Sequence, residues 1–501
     1  MKKFLQMIRI VFLTFLIFSL ENCSKEAEVE TPIIDTSGTN LDADDVAIRL
    51  EDDLQVSDYI WQGLNYFYYW QTSVPELADS KLNDERTYAE FINQNPDPEV
   101  FFRSLKHEED RFSVLSQDYD EFNQVLDGTQ ASNGLEFSLI RACSDCDEVI
   151  GYVKYILEGS DAASKNIERG DFFVGVNGNT LTVNNYIDLL YSDNLEYTLN
   201  MADIVEGTLE ENGESVSLTK VENFESNPIQ KEEVFDIDGT QVGYLMYNQF
   251  LARANESLNE VFGRFQSAGI TELVLDLRYN GGGSVDNCIN LASMITGQFT
   301  GDVFAKQKWN SKLDAYWAER NPESITDLFT NQINEGSSIN SLNLNRLFVL
   351  TTRETASASE LIINGLEPYI DVVVIGEATI GKNVGSILVY DYIDNNGTKN
   401  PDHKYVMLPI VFKISNKDGF ADYADGLQPD IELQEDISDL KPLGNKQEPF
   451  LQAALSELST TDKFRPQPAQ WNTEYQVLDP LKEKRQILLD ERIDFRFHIK
   501  E

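Results

Sequence analysis

Hydrophobic and polar positions divide the chain into regions of different period. Between about residues 46 and 127, apolar positions recur at helical spacing: Val56, Ile60, Leu64 and Phe67, then Tyr88, Phe91 and the pair Phe101 and Phe102. The run Asn95-Pro96-Asp97-Pro98 breaks that pattern and restarts it, because proline interrupts a helix but opens one well. An aromatic stripe at this spacing reads as core, so no chemistry is expected there. Over 128–225 the period shortens to that of strands and turns. Strands are predicted at 149–157 and 172–176, the second running into an Asn177-Gly178 turn, and an amphipathic helix at 184–191. From about residue 230, strands and helices alternate. Strands are expected at 242–247, 273–277, 347–351 and 372–375, and helices at 257–267, 285–295 and 359–365. Buried strands alternating with helices predict an α/β core over 226–446 with a largely parallel sheet. Residues 447–501 read as helical over 450–458 and irregular beyond.

Charge and the amino terminus narrow the function classes. The formal net charge is −45, from 40 basic and 85 acidic residues spread along the chain. Such a surface repels nucleic acid, and no Lys/Arg stripe offsets it, so nucleic-acid partners are excluded. Lys2, Lys3 and Arg9 precede an apolar run over 10–20, the length of a signal-peptide core and too short to span a bilayer. That run ends at Leu20-Glu21-Asn22-Cys23, which resembles a bacterial lipoprotein signal although Glu21 and Asn22 replace the usual small residues. The resemblance implies that 1–22 is a signal peptide and that Cys23 is acylated. It places the chain in the bacterial cell envelope, anchored in a membrane and facing the periplasm or the outside. Residues 23–45, acidic and without period, read as a flexible tether. Cys143-Ser-Asp-Cys146 lacks the further ligands a zinc site needs, so no metal and no cofactor are expected. A local disulfide on a hairpin is favoured there over a redox role.

Three segments of the α/β core each end a predicted strand and open a loop or helix, where such sheets hold their sites. Asp276-Leu277-Arg278-Tyr279-Asn280-Gly281-Gly282-Gly283 carries three successive glycines, whose backbone N–H groups can face a ligand without interfering side chains. Thr355-Ala356-Ser357-Ala358-Ser359-Glu360 places small residues and hydroxyls at a helix start, where the positive end of the helix favours developing negative charge. In Gly376-Glu377-Ala378-Thr379-Ile380-Gly381-Lys382, a lysine stands among small and apolar residues. A dry site lowers an amine's pKa enough for it to accept a proton near neutral pH. The histidines are His107, His403 and His498, none of them in a strand-end segment, which argues against a histidine-based triad.

Together these segments resemble the carboxyl-terminal processing peptidases, or tail-specific proteases, whose motifs D-L-R-x-N-x-G-G, S-A-S-A-S-E and G-E-x-T-x-G-K follow in that order. The resemblance spans most of residues 46–435 and includes Gly-Leu-Gln-Pro-Asp at 426–430. It implies a serine endopeptidase with Ser357 as nucleophile and Lys382 as base. It also implies an oxyanion hole from Ala358, Gly281, Gly282 and Gly283. Thr355 replaces the first serine of the turn, Gly281 the usual proline, and Ser386 the glutamine that orients the lysine in many members, so Ser386 is the expected orienting partner. Residues 128–225, with Glu158-Gly-Ser-Asp-Ala-Ala and Ile167-Glu-Arg-Gly-Asp171, resemble a PDZ domain. That implies Gly134, Leu135, Glu136 and Phe137 as the loop receiving a peptide carboxylate, and added-strand binding of the peptide. The expected architecture is thus multidomain α/β: an N-terminal helical domain (46–127), a PDZ-like β-rich domain (128–225), the α/β peptidase core (226–446) and a helical or irregular tail (447–501). The expected partners are unfolded or C-terminal polypeptide substrates. Two alternatives share the fold: an inactive PDZ-bearing adaptor, and a serine–lysine enzyme acting on non-peptide esters.

Overall fold

Apolar runs buried on both faces pair best with one another, and four of them do so here in parallel. In the computed structural model, Thr240–Tyr247, Glu272–Asp276, Arg346–Thr351 and Asp371–Gly376 are consecutive neighbours in a six-stranded sheet. Val274 stands opposite both Tyr244 and Phe348, and Phe348 opposite Val373. The short Ile431–Glu432 strand extends the parallel side, and Ile229–Ile237 closes the other edge antiparallel. Helices Asn255–Ala268, Val285–Thr296 and Ala358–Leu366 form the crossovers that parallel pairing requires. The structure describes residues 54–333, 336–459, 464, 477–478, 486–493 and 495. These lie in one compact unit, Ala47–Ile499. The signal peptide, the tether and Cys23 lie outside the described residues.

The N-terminal region is helical, with Gln55–Phe67, Glu85–Asn93, Pro98–Ser104 and Tyr119–Asp127 as its α-helices. Asp97 caps the third by accepting the Val100 N–H at 3.0 Å, with Pro98 in the first helical turn. Ile60, Leu64 and Phe67 are buried as the helical spacing predicts, while Val56 is only half-buried at the stripe's margin. These side chains do not form a separate core. They pack in the same apolar cluster as Leu275, Val349 and Leu361 of the α/β core, each contributing roughly 2 kcal/mol by burial. The region also holds a strand, Val114–Ser116, paired with Val406–Leu408.

Residues 135–219 form a five-strand path in sheet order Leu135–Arg141, Val149–Ile156, Phe172–Val176, Glu196–Val205 and Thr208–Thr219, with its own apolar cluster. Leu135–Arg141 is the first strand of that order. The predicted helix is shorter than its apolar pattern, Tyr186–Leu190. Cys143 and Cys146 are joined by a disulfide in the hairpin after Leu135–Arg141. The tail is helical over Pro449–Leu458. It is not simply irregular afterwards, because Leu488–Leu489 forms a strand between Gly283–Ser284 and Val384–Ser386 in a second six-stranded sheet. Two residues carry no periodic signal, and only the neighbours that pair with them make them a strand.

Candidate active site

The three chemistry-bearing loops meet because their strands are neighbours. Glu272–Asp276, Arg346–Thr351 and Asp371–Gly376 run parallel, so the loops leave from the same carboxyl end of the sheet. Hydrogen bonds then stitch loop to loop. The Asn280 carbonyl accepts the Ala356 N–H at 3.1 Å and the Ser359 hydroxyl at 3.0 Å. The Thr355 hydroxyl donates to Leu277 O at 2.8 Å, and Ile380 N–H donates to Thr355 O at 3.0 Å. Ser359 is therefore tied to the glycine loop, and it is Ser357 that occupies the N-cap of helix Ala358–Leu366.

Ser357 has φ +67° and ψ −113°, a conformation costly for a non-glycine residue and held here by its surroundings. Ser357 thus sits in the sharp turn between strand Arg346–Thr351 and helix Ala358–Leu366. The hydroxyl is buried and has no hydrogen-bond partner among the described residues. Its neighbour Gly282 has φ +109°, and a Cβ there would fall 2.6 Å from the Ser357 Cβ and 2.6 Å from Ile487 O. Only glycine fits that approach.

Glu360 joins the serine turn to the lysine loop, a role that the motif alone did not reveal. One carboxylate oxygen accepts the backbone N–H of Ser357 at 2.6 Å and of Lys382 at 2.8 Å. The other accepts the Gly381 N–H at 2.6 Å and the Thr379 hydroxyl at 2.5 Å. Burial raises the Glu360 carboxyl pKa, opposed by these four hydrogen bonds. The readable signal was Ser-x-x-Glu at a helix start, a capping-box spacing. From the N-terminal region, Arg111 donates to Gly381 O at 2.9 Å and Ala424 O at 3.1 Å, clamping the lysine loop from outside.

Lys382 is buried, and burial pushes its amine down to about 7, against the opposing pull of Asp110 and Glu360. The amine lies 5.0 Å from the centre of the Phe112 ring. Its hydrogen bond goes to the Gln486 carbonyl at 2.5 Å. Ser386 does not take the expected orienting role. Its carbonyl accepts the Asp490 N–H at 3.1 Å, and its hydroxyl makes no hydrogen bond to Lys382. A hydroxyl on a strand is shorter than the glutamine it replaces, and a backbone carbonyl 104 residues downstream takes the amine instead.

The expected oxyanion donors divide. The Gly282 N–H is used by the Asn280 side chain at 2.9 Å and the Gly283 N–H by Ile487 O at 2.5 Å. The N–H groups of Gly281 and Ala358 have no partner among the described residues. In the β-rich module, Gly134 N–H donates to the Ser132 hydroxyl at 2.9 Å and Leu135 N–H to the Asn133 side chain at 3.0 Å. Those two amides are therefore already engaged, whereas Glu136 lies on the wall of a cleft and Phe137 packs against Phe173 and Tyr191. The cleft runs past Lys154, Tyr279 and Glu354 to Gly281 and Gln486.

Buried ion pairs fix the module against the loops. Arg278, fully buried, donates to Asp276 at 2.7 Å, to Glu448 at 2.7 Å and to Glu435 at 3.1 Å. Burial pulls the guanidinium pKa down, and the three carboxylates more than reverse that. Arg169 of the β-rich module meets Glu435 at 2.7 Å and the Tyr279 hydroxyl at 2.7 Å. Lys154 of the same module pairs with Glu354, in the serine turn, at 2.8 Å. His403 pairs with Asp391 at 2.9 Å, outside the site. No group of histidine, cysteine and acidic residues among the described residues is arranged to hold a metal ion.

A strained, helix-opening serine and a buried lysine at the carboxyl ends of adjacent parallel strands define a hydrolytic α/β scaffold. The Peptidase family S41 signature matches residues 241–433, and the Peptidase S41 N-terminal domain signature matches residues 55–114. The chain belongs to peptidase family S41. It is 27% identical over 197 residues to the chloroplastic C-terminal processing peptidase of Tetradesmus obliquus, covering 39% of this chain and 36% of that protein. It is 27% identical over 237 residues to the carboxyl-terminal-processing protease of a Picosynechococcus strain, covering 47% of this chain and 49% of that protein. The matched part thus spans about a third to a half of these two relatives. A crystal structure described as an S41 protease from Bacteroides fragilis aligns with a TM-score of 0.63 at 26% identity, covering 80% of this chain and 96% of that one.

Proposed function

We infer that this chain is a serine endopeptidase of the carboxyl-terminal processing type. Lys382, uncharged near pH 7, takes the proton of Ser357 as its oxygen attacks a peptide carbonyl carbon. The N–H groups of Gly281 and Ala358 receive the oxyanion. As the carbon–nitrogen bond breaks, the Lys382 proton passes to the leaving amine. Water, deprotonated by the same lysine, then hydrolyses the ester and frees Ser357. The observation that carries this reading is the buried Lys382 amine, lowered to about 7, in a loop whose backbone shares a carboxylate oxygen with that of Ser357. A cation held there at full charge would have no use for that burial.

The PDZ-like module presents substrate tails, supported by its edge strand Leu135–Arg141 and by the cleft leading from Glu136 to Gly281. Its donors for a peptide lie along that strand edge more than in the Gly134–Leu135 turn. The basic and apolar leader ending at Cys23 supports a lipid-anchored location in the bacterial envelope. The test is labelling by a fluorophosphonate probe together with cleavage of casein. Ser357→Ala should abolish both, and Lys382→Ala should lower both by at least about a hundredfold, the scale of a lost general base. Full activity in either variant removes the mechanism.

A further inference from the structure

Two described stretches near the carboxyl end, 477–478 and 486–491, meet the edge strand of the β-rich module and the catalytic loops respectively. Resting on the peptidase reading, we propose that residues 477–478 and 486–491 act as an intramolecular occupant that holds the enzyme in a self-blocked state. Extended polypeptide substrate takes the same track when the segment leaves.

Two separate stretches carry the proposal. Val477 bridges Ile140 antiparallel on the Leu135–Arg141 strand, and Leu478 N–H donates to Leu139 O at 2.9 Å. Leu478 packs against the module's apolar cluster, as do Phe137 and Tyr191. That is added-strand binding of a peptide to an open sheet edge. Further on, Lys382 donates to Gln486 O at 2.5 Å and Gly283 N–H to Ile487 O at 2.5 Å. Leu488 and Leu489 pair parallel with Gly283 and Ser284, and Leu489 also stands opposite Ser386. The segment therefore threads the gap between the glycine loop and the lysine loop as a strand.

Its chemistry is that of a block and not of a bound substrate about to react. The Lys382 amine donates to the Gln486 carbonyl, which holds it on the segment, and it makes no hydrogen bond to Ser357. The free N–H groups of Gly281 and Ala358 have received no carbonyl, and the Ser357 hydroxyl is buried without a partner. The outer end of the segment is pinned by side chains. Arg492 meets Asp327 at 2.7 Å and Asp490 at 2.6 Å, and the Ser284 hydroxyl donates to Glu491.

The experiment compares the full chain, a chain ending at residue 476, and the double variant Leu478→Asp, Arg492→Ala, in which the segment stays but its two anchors are lost. Fluorophosphonate labelling of Ser357 should quicken about tenfold or more in the shortened chain and severalfold in the double variant, since rate follows the open fraction. A synthetic peptide of residues 477–491, added to the shortened chain, should slow labelling again. Unchanged labelling in a shortened chain that retains its circular dichroism overturns the proposal. Should the shortened chain fail to fold, unchanged labelling in the folded double variant overturns it equally. Active full chain with no gain in either form leaves the peptidase reading standing and removes only the block. No labelling in any folded form removes both.

Discussion

At the scale of the residue, Lys382 sets a conflict between stability and chemistry. Its amine is lowered to about 7 in the folded chain, whereas an unfolded lysine titrates near its ordinary 10.5. With a folded pKa below the unfolded one, its contribution to stability is complete only above the unfolded value. That contribution is lost progressively as pH falls toward 7. Lys382→Met should therefore abolish labelling yet raise the melting temperature at pH 7 by about 3 °C or more, a gap that narrows toward pH 10 in thermal melts. In the active enzyme, labelling of Ser357 should rise with pH through a midpoint near 7. A midpoint near 10 would mean that the amine is not dry. Glu360 acts through others, as a positioning residue. Glu360→Ala leaves three buried N–H groups without their acceptor and should lower kcat about tenfold or more with little change in KM for a short peptide. Glu360→Gln, which keeps an acceptor oxygen, should recover part of that loss.

At the scale of the element, the glycine loop is held from below by charge. Arg278 follows the Glu272–Asp276 strand and gathers Asp276, Glu435 and Glu448 around a cation with no exposure. Removing that cation leaves three carboxylates buried together. Arg278→Ala should destabilise the chain by about 3–5 kcal/mol, measured by denaturant unfolding. The turn above is fixed by shape. Gly282→Ala places a methyl against the Ser357 side chain and the Ile487 carbonyl at a φ that alanine avoids, so labelling should fall about tenfold or more while secondary structure is kept. Much at this scale was legible beforehand. The strands and helices of the core follow runs of Val, Leu and Ile whose period is unmistakable, and helix Asn255–Ala268 extends the predicted 257–267 by no more than two residues at either end. The two-residue strand Leu488–Leu489 was illegible, because its conformation is imposed by Gly283–Ser284 and Val384–Ser386 on either side.

At the scale of the whole molecule, the regions read as separate domains share contacts that bear on the site. The N-terminal helices pack into the core's own apolar cluster, and Arg111 from that region holds the lysine loop. The β-rich module reaches both other loops, through Arg169 to Tyr279 and Glu435 and through Lys154 to Glu354. Arg169→Ala should lower cleavage of casein more than it lowers labelling by a small fluorophosphonate, because it disturbs the approach of a long chain while leaving Ser357 in place. Equal losses in the two assays would show that Arg169 supports the loop itself.

Sequence by itself determined the alternation of strand and helix, the strand-end placement of Ser357 and Lys382, and the glycine loop beside them. Those features are local, written in period, turn residues and motif spacing within a few residues of one another. Tertiary structure decided which donors stay free, that Glu360 ties the lysine loop to the serine turn, that the Gln486 carbonyl and not Ser386 takes the Lys382 amine, and that Leu488–Leu489 pairs between Gly283–Ser284 and Val384–Ser386. Hydrogen-bond partners compete over distances of a hundred residues along the chain, and each donor is taken by whichever acceptor the packed fold brings nearest.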